Sequence, residues 1–265
     1  MSLVAGLQLP TLPMSESKLD YYFRICAKKE ISLVVLGEYV LNSFYKELAN
    51  MPKSMVKEQS QHKIKVLKAL CTKYGISVVA PLVLVKKDGY QKVTAKFTPK
   101  SVHYYPQYWL IHFKHWNEER FFLPSQEKYD LPVLLHEGIR YGIVGGFEAH
   151  YDSVWADVDK KRIDAVLMPS IGAFNSQDRW RALLMTRAFT HNVYIIRVNR
   201  IGSYRKDEED WHFYGDSTLF NPYGEVELSL GDKEEMLIAN IEKSAISEAR
   251  RVWGWRSQMS KKGII

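Results

Sequence analysis

The sequence predicts one α/β domain in which helices cover the β-sheets. Three observations carry that prediction. Strand-like apolar runs alternate with helical patterns along the whole chain, hairpin turns sit among longer crossovers, and no internal repeat, linker or low-complexity stretch divides it. Of its 265 residues, 46% are hydrophobic and 25% charged, an ordinary balance for a globular chain that buries a real core.

Residues 3–9 read as a strand. Ser15 then caps a helix in which Leu19, Tyr22, Phe23 and Cys26 fall at i, i+3, i+4 and i+7, one buried stripe. Residues 31–36 form a continuous apolar run, as expected of a strand covered on both faces. A long helix follows over 53–74, with Ile64, Leu67, Leu70, Cys71 and Tyr74 on its buried side and Gly75 as its stop. Strands at 76–85 and 90–97 flank the turn Lys87-Asp88-Gly89. Further strands are predicted over 109–114 and 139–145, and a helix from about Tyr151. A strand at 163–168, a helix through 180–191 and a strand at 193–198 come next. The end holds short strands, a turn at 221–224, a strand at 236–241 and a last helix from about Ser244.

Several function classes drop out. No apolar run approaches the roughly 18 residues that span a bilayer. The N-terminal MSLVAG lacks the basic and apolar regions of a signal peptide, so a cytoplasmic protein without membrane association is expected. Cys26 and Cys71 give neither a disulfide framework nor a zinc pattern. The net charge of +7 is scattered through short basic runs, which argues against nucleic acid as a partner. The histidines show no metal-ligand spacing, and no glycine-rich phosphate loop is present.

Several segments resemble, in order, the nitrilase superfamily of carbon–nitrogen hydrolases. The run LVVLGEY at 33–39 resembles the family strand that ends in its general-base glutamate, which assigns that position to Glu38. VTAKF at 93–97 and WLIHFKHW at 109–116 resemble the hairpin that delivers the catalytic lysine, matched here by Lys114. YGIVGGFE at 141–148 resembles the nucleophile strand, with Gly146 where the family has cysteine. DAVLMPS at 164–170 and the segments 180–192, 194–202 and 216–224 continue the likeness. The resemblance implies a four-layer αββα sandwich of the nitrilase type over the whole chain. It also implies pairing into homodimers or larger homo-oligomers, with residues from about 243 to 265 among the contacts, and it implies no cofactor.

In that family a cysteine thiolate attacks a nitrile or amide carbon, a glutamate shuttles the proton and a lysine stabilises the oxyanion. An ion pair between Glu38 and Lys114 follows from the match. Of the adjacent Glu118 and Glu119, Glu119 is favoured as a second pocket glutamate. Phe147, Glu148 and His150 complete the candidate binding residues, with Glu148 holding the turn through hydrogen bonds. Gly146 has no side chain with which to attack, and no Ser, Thr or Cys lies within six residues of it.

The expected function is therefore a nitrilase or amidase homologue that is catalytically impaired or inactive. It would keep a pocket for a small amide, nitrile or carboxylate, with extra room at Gly146. The alternative is an active hydrolase of non-peptide C–N bonds that uses water activated by Glu38, or an unrecognised nucleophile. A third possibility is an interaction protein whose pocket is filled by Trp116 or Phe147.

Overall fold

Apolar side chains on both faces of successive strands require cover on both sides, and the fold supplies it in four layers. The protein is described by a computed structural model over residues 2–263. The first half runs β1 (Ser2–Gln8), α1 (Ser17–Lys28), β2 (Leu33–Leu36), α2 (Tyr45–Leu48), α3 (Lys53–Tyr74), β3 (Ser77–Val85), β4 (Tyr90–Phe97) and β5 (Val102–Pro106). The second half runs β6 (Val133–His136), β7 (Ile139–Ile143), α4 (Asp152–Lys160), β8 (Ala165–Pro169), α5 (Gln177–His191) and β9 (Tyr194–Val198). A hairpin of β10 (Ile201–Lys206) and β11 (Glu209–Tyr214) then precedes β12 (Thr218–Phe220), β13 (Val226–Ser229), β14 (Glu235–Ile241), α6 (Lys243–Trp253) and α7 (Trp255–Lys261).

Two six-stranded sheets result, ordered β14-β1-β2-β3-β4-β5 and β13-β12-β9-β8-β7-β6. Their inner faces meet in one core that includes Val35, Val79, Tyr141, Leu167 and Ile196. Leu19, Phe23 and Cys26 of α1 and Leu67, Leu70 and Cys71 of α3 cover the first sheet. Trp155 of α4 and Leu184 and Ala188 of α5 cover the second. The αββα sandwich is thus the observed architecture. Among the described residues no helix is long and apolar enough to cross a membrane.

Most elements lie where the periodicity puts them. The helix over Lys53–Tyr74 ends at Gly75 in the left-handed region, φ 68°. Its buried stripe is rotated slightly and takes in Val56, Ser60 and Lys63, while Ile64 and Tyr74 are only partly covered. The N-cap of helix α1 is one residue later than the expected Ser15, at Glu16, with no side-chain cap bond.

The strand expected over 109–114 does not form. β5 lies upstream of it, paired antiparallel with β4, and only an isolated bridge from His112 to Asn117 marks the later stretch. There Leu110, Ile111 and Trp116 are buried in an aromatic cluster, and the residues between them form an exposed loop. That cluster, with Tyr39, Phe44, Phe147, Trp211 and Phe213, closes one end of the sandwich.

Candidate active site

The candidate site forms where the parallel strands β2, β7 and β8 end together, under the aromatic cluster. Glu38 follows β2 after Gly37, and a Cβ on Gly37 would lie 3.0 Å from the backbone of Asn199 and Arg200. Glycine thus lets this strand end approach the chain beyond β9. The backbone N–H of Glu38 donates to the carbonyl of Ser170 (3.1 Å), which ties the two sheets together beside the site.

Glu38 is 2% exposed, so its charge needs partners. Its Oε1 accepts the backbone N–H of Gly146 (3.3 Å), and its Oε2 accepts Lys92 Nζ (2.5 Å). Lys92 also donates to both oxygens of Glu118, each at 2.9 Å. Tyr39, in the left-handed region at φ 56°, donates its hydroxyl to Glu118 Oε1 (2.5 Å). The Tyr39 ring lies 5.0 Å from Lys92 Nζ. Burial pushes the Glu38 carboxyl above its ordinary range, and Lys92 pulls against that. Burial alone would lower Lys92, but the charges of Glu118 and Glu38 outweigh it and hold the ammonium above its ordinary value.

These contacts correct two expectations. Lys114 is exposed at the tip of the loop closed by His112 and Asn117, so it does not pair with Glu38. The lysine at Glu38 is Lys92, on strand β4. Glu119 is also exposed, and Glu118, fully buried, faces the site instead. The reason is local: the N–H groups of Glu118 and Glu119 both bond the carbonyl of Ile111, which turns the chain so that only the first carboxylate points inward.

Lys92 had a signal in the sequence. Val93, Ala95 and Phe97 pack under the helices, so Lys92 and Thr94 must face the other side of the strand. In a sandwich that side is buried too, and a buried lysine there needs acidic partners.

Gly146 sits beside Glu38, without the expected room. A Cβ built on it would lie 2.9 Å from Ser170 Cβ, 3.2 Å from Ser170 Cα and 3.3 Å from Glu38 Oε1. Ser170 fills that place, and its hydroxyl donates to Asn199 Oδ1 (3.0 Å) and accepts Arg197 Nε (3.2 Å). Cys26 and Cys71 belong to the core between the first sheet and its helices, where burial raises their thiols to about 11 and about 12.

Glu148 accepts three backbone N–H groups, from Gly145 (3.0 Å), Tyr108 (2.9 Å) and Trp109 (3.5 Å). Burial still raises its carboxyl to about 7. Phe147 and His150 line a cavity of about 760 Å³ whose floor includes Glu38. His150 stands at the rim, its Nδ1–H donating to the Phe147 carbonyl (2.9 Å) and its ring edge-on to Trp180. Trp116 and Phe147 are both walls of this open cavity and do not plug it.

Comparison with known proteins agrees with this fold. The family model described as carbon-nitrogen hydrolase matches residues 11–251. The chain belongs to the carbon–nitrogen hydrolase family. Its solved relatives include a carbon–nitrogen hydrolase from Helicobacter pylori G27, with a TM-score of 0.83, 21% identity and coverage of 96% of this chain and 93% of that one. An amidase from Nesterenkonia sp. AN1, as a cysteine-to-alanine mutant in complex with butyramide, gives a TM-score of 0.75 at 17% identity, covering 96% and 95%. In sequence, the N-carbamoylputrescine amidase of Solanum tuberosum is 33% identical over 91 residues, which are 32% of this chain and 30% of that protein. The chain thus spans under a third of the length of that curated relative, and its homologues are amidase-like.

Proposed function

We propose that the protein is a catalytically silent member of the family that binds a small ligand in the cavity above Glu38. One observation carries this reading. Position 146, beside Glu38, carries no side chain that could attack a substrate carbon, while Lys92 is shared between the carboxylates of Glu38 and Glu118. A side chain at Gly146 would press on Ser170, and the Ser170 hydroxyl is engaged by Arg197 and Asn199. Losing a nucleophile lowers turnover by about 10⁶ even when the rest of a site survives. The butyramide held by the Nesterenkonia mutant supports ligand binding on this fold without the cysteine. Buried free thiols fit a reducing, cytoplasmic setting. The exposed aromatic residues near the C-terminus fit a homodimer or larger homo-oligomer.

A second reading has its own support. Glu38 lines the cavity and its carboxyl is raised by burial, so it suits the activation of water for direct attack on an amide. The test is ammonia release from amides, nitriles and N-carbamoyl compounds, by wild type and Glu38→Gln. No release above the uncatalysed rate is expected from either protein. Turnover in wild type that disappears in the variant overturns the silent reading in favour of water attack.

A further inference from the structure

The cavity has an imbalance of charge at its floor. Glu38 and Glu118 are both buried, and Lys92 is the one ammonium between them. Glu148, the next carboxylate, is held by backbone N–H groups behind Gly145. The buried Arg200 is taken up by the Tyr39 carbonyl and the face of Phe213. Arg197 is paired with Asp216 and lies 5.0 Å from the Trp180 ring. His115, His150 and Arg179, which also border the cavity, are exposed.

Glu38 is the only acidic side chain among the lining residues. The walls near it are aromatic: Phe113, Trp116, Phe147 and Phe174 border the cavity, while Trp180 already faces a guanidinium. A carboxylate at the base of aromatic walls attracts a cation through both charge and ring faces. A neutral amide offers hydrogen bonds to Glu38 but leaves the excess negative charge in place. An anion meets the Glu38 carboxylate at the floor, and Lys92, shared by Glu38 and Glu118, is not among the lining residues.

We infer that the cavity selects an organic cation, an amidinium or primary ammonium on an apolar body. The charged head sits at Glu38 Oε1 and the body lies along Phe113, Trp116, Phe147 and Phe174. The cavity of about 760 Å³ leaves room for such a body. This assignment rests on the reading of the site as a binding cavity without turnover.

Calorimetric titration with benzamidine, benzamide and benzoate tests it, since the three differ in charge and little in shape. Benzamidine should bind at least about tenfold more tightly than benzamide, with benzoate weakest. Glu38→Gln should bring benzamidine and benzamide within about twofold of each other, because the charge is then gone. If that variant does not fold, the wild-type ratio decides, and Phe174→Leu at the exposed wall should weaken benzamidine about threefold more than it weakens benzamide. Benzamide binding as tightly as benzamidine, or none of the three binding, overturns the inference. Release of ammonia from benzamide instead overturns the silent reading and is scored separately from the binding order.

Discussion

Among single residues, Lys92 holds the most consequence. It is the shared partner of two buried carboxylates, so removing it leaves both charges without a counter-ion. Lys92→Met should destabilise the fold by about 3–5 kcal/mol, the usual effect of breaking a buried pair from one side. Urea unfolding measures this, and adding Glu118→Gln to the variant should restore part of the loss. A loss under about 1 kcal/mol would show that the carboxylates simply take up protons at little cost. Glu148 gives a pH signature. Its carboxyl is raised from an ordinary 4.5 to about 7, so the folded state binds its proton more tightly than the unfolded state. That contribution is complete below about pH 4.5 and is lost as pH rises through about 7, at most a few kcal/mol. The wild-type urea midpoint minus that of Glu148→Gln should therefore fall between pH 4.5 and 8; a flat difference contradicts the assignment.

At the scale of elements, what was legible in the sequence followed from burial. Strands apolar on both faces, and helices with an i, i+3, i+4, i+7 stripe, fall where their patterns put them because the same packing that fixes the fold fixes the pattern. The stretch from 109 to 119 was misread because its aromatics resemble a strand, while their partners come from distant segments. Lys114 is the nearer lysine in sequence to a glycine at 146, yet Lys92 reaches Glu38 because strand pairing places β4 next to β3, which itself pairs with β2. The lack of room at Gly146 was equally invisible, since Ser170 arrives from the end of β8. This contact yields a prediction about how two strand ends fit. Gly146→Cys alone should cost about 1–3 kcal/mol through overpacking against Ser170. Ser170→Gly in the same chain removes the opposing Cβ and should recover more than half of that cost beyond its own single effect, read from a double-mutant cycle in urea. Additive losses would mean that the two positions do not touch.

At the scale of the whole molecule, the C-terminal helices lie on the outside of the sandwich and change the surface it presents. Ile246 of α6 joins the core between the sheets, and Arg250 bonds Asp164 and the Ile163 carbonyl, so α6 is fixed. Arg256 of α7 bonds Asp159 and the Val158 carbonyl of α4. These anchors hold Trp253 and Trp255 in a stack, with ring centroids 5.3 Å apart, against Phe189 of α5. The turn at Gly224 packs on Met185 and Phe189. Met185, Tyr223 and Trp253 are nevertheless left exposed at 38%, 36% and 46%. Large apolar side chains gathered on one face, instead of scattered singly, mark a contact surface. This is the face proposed for self-association; residues 264–265 of the expected contact segment lie outside the described residues. Trp253→Glu places a charge there without removing a core residue. Light scattering after gel filtration should give at least twice the chain mass for wild type and a lower assembly for the variant, with an unchanged unfolding midpoint at high dilution. A wild-type protein that runs at the mass of one chain at micromolar concentration overturns self-association through this face.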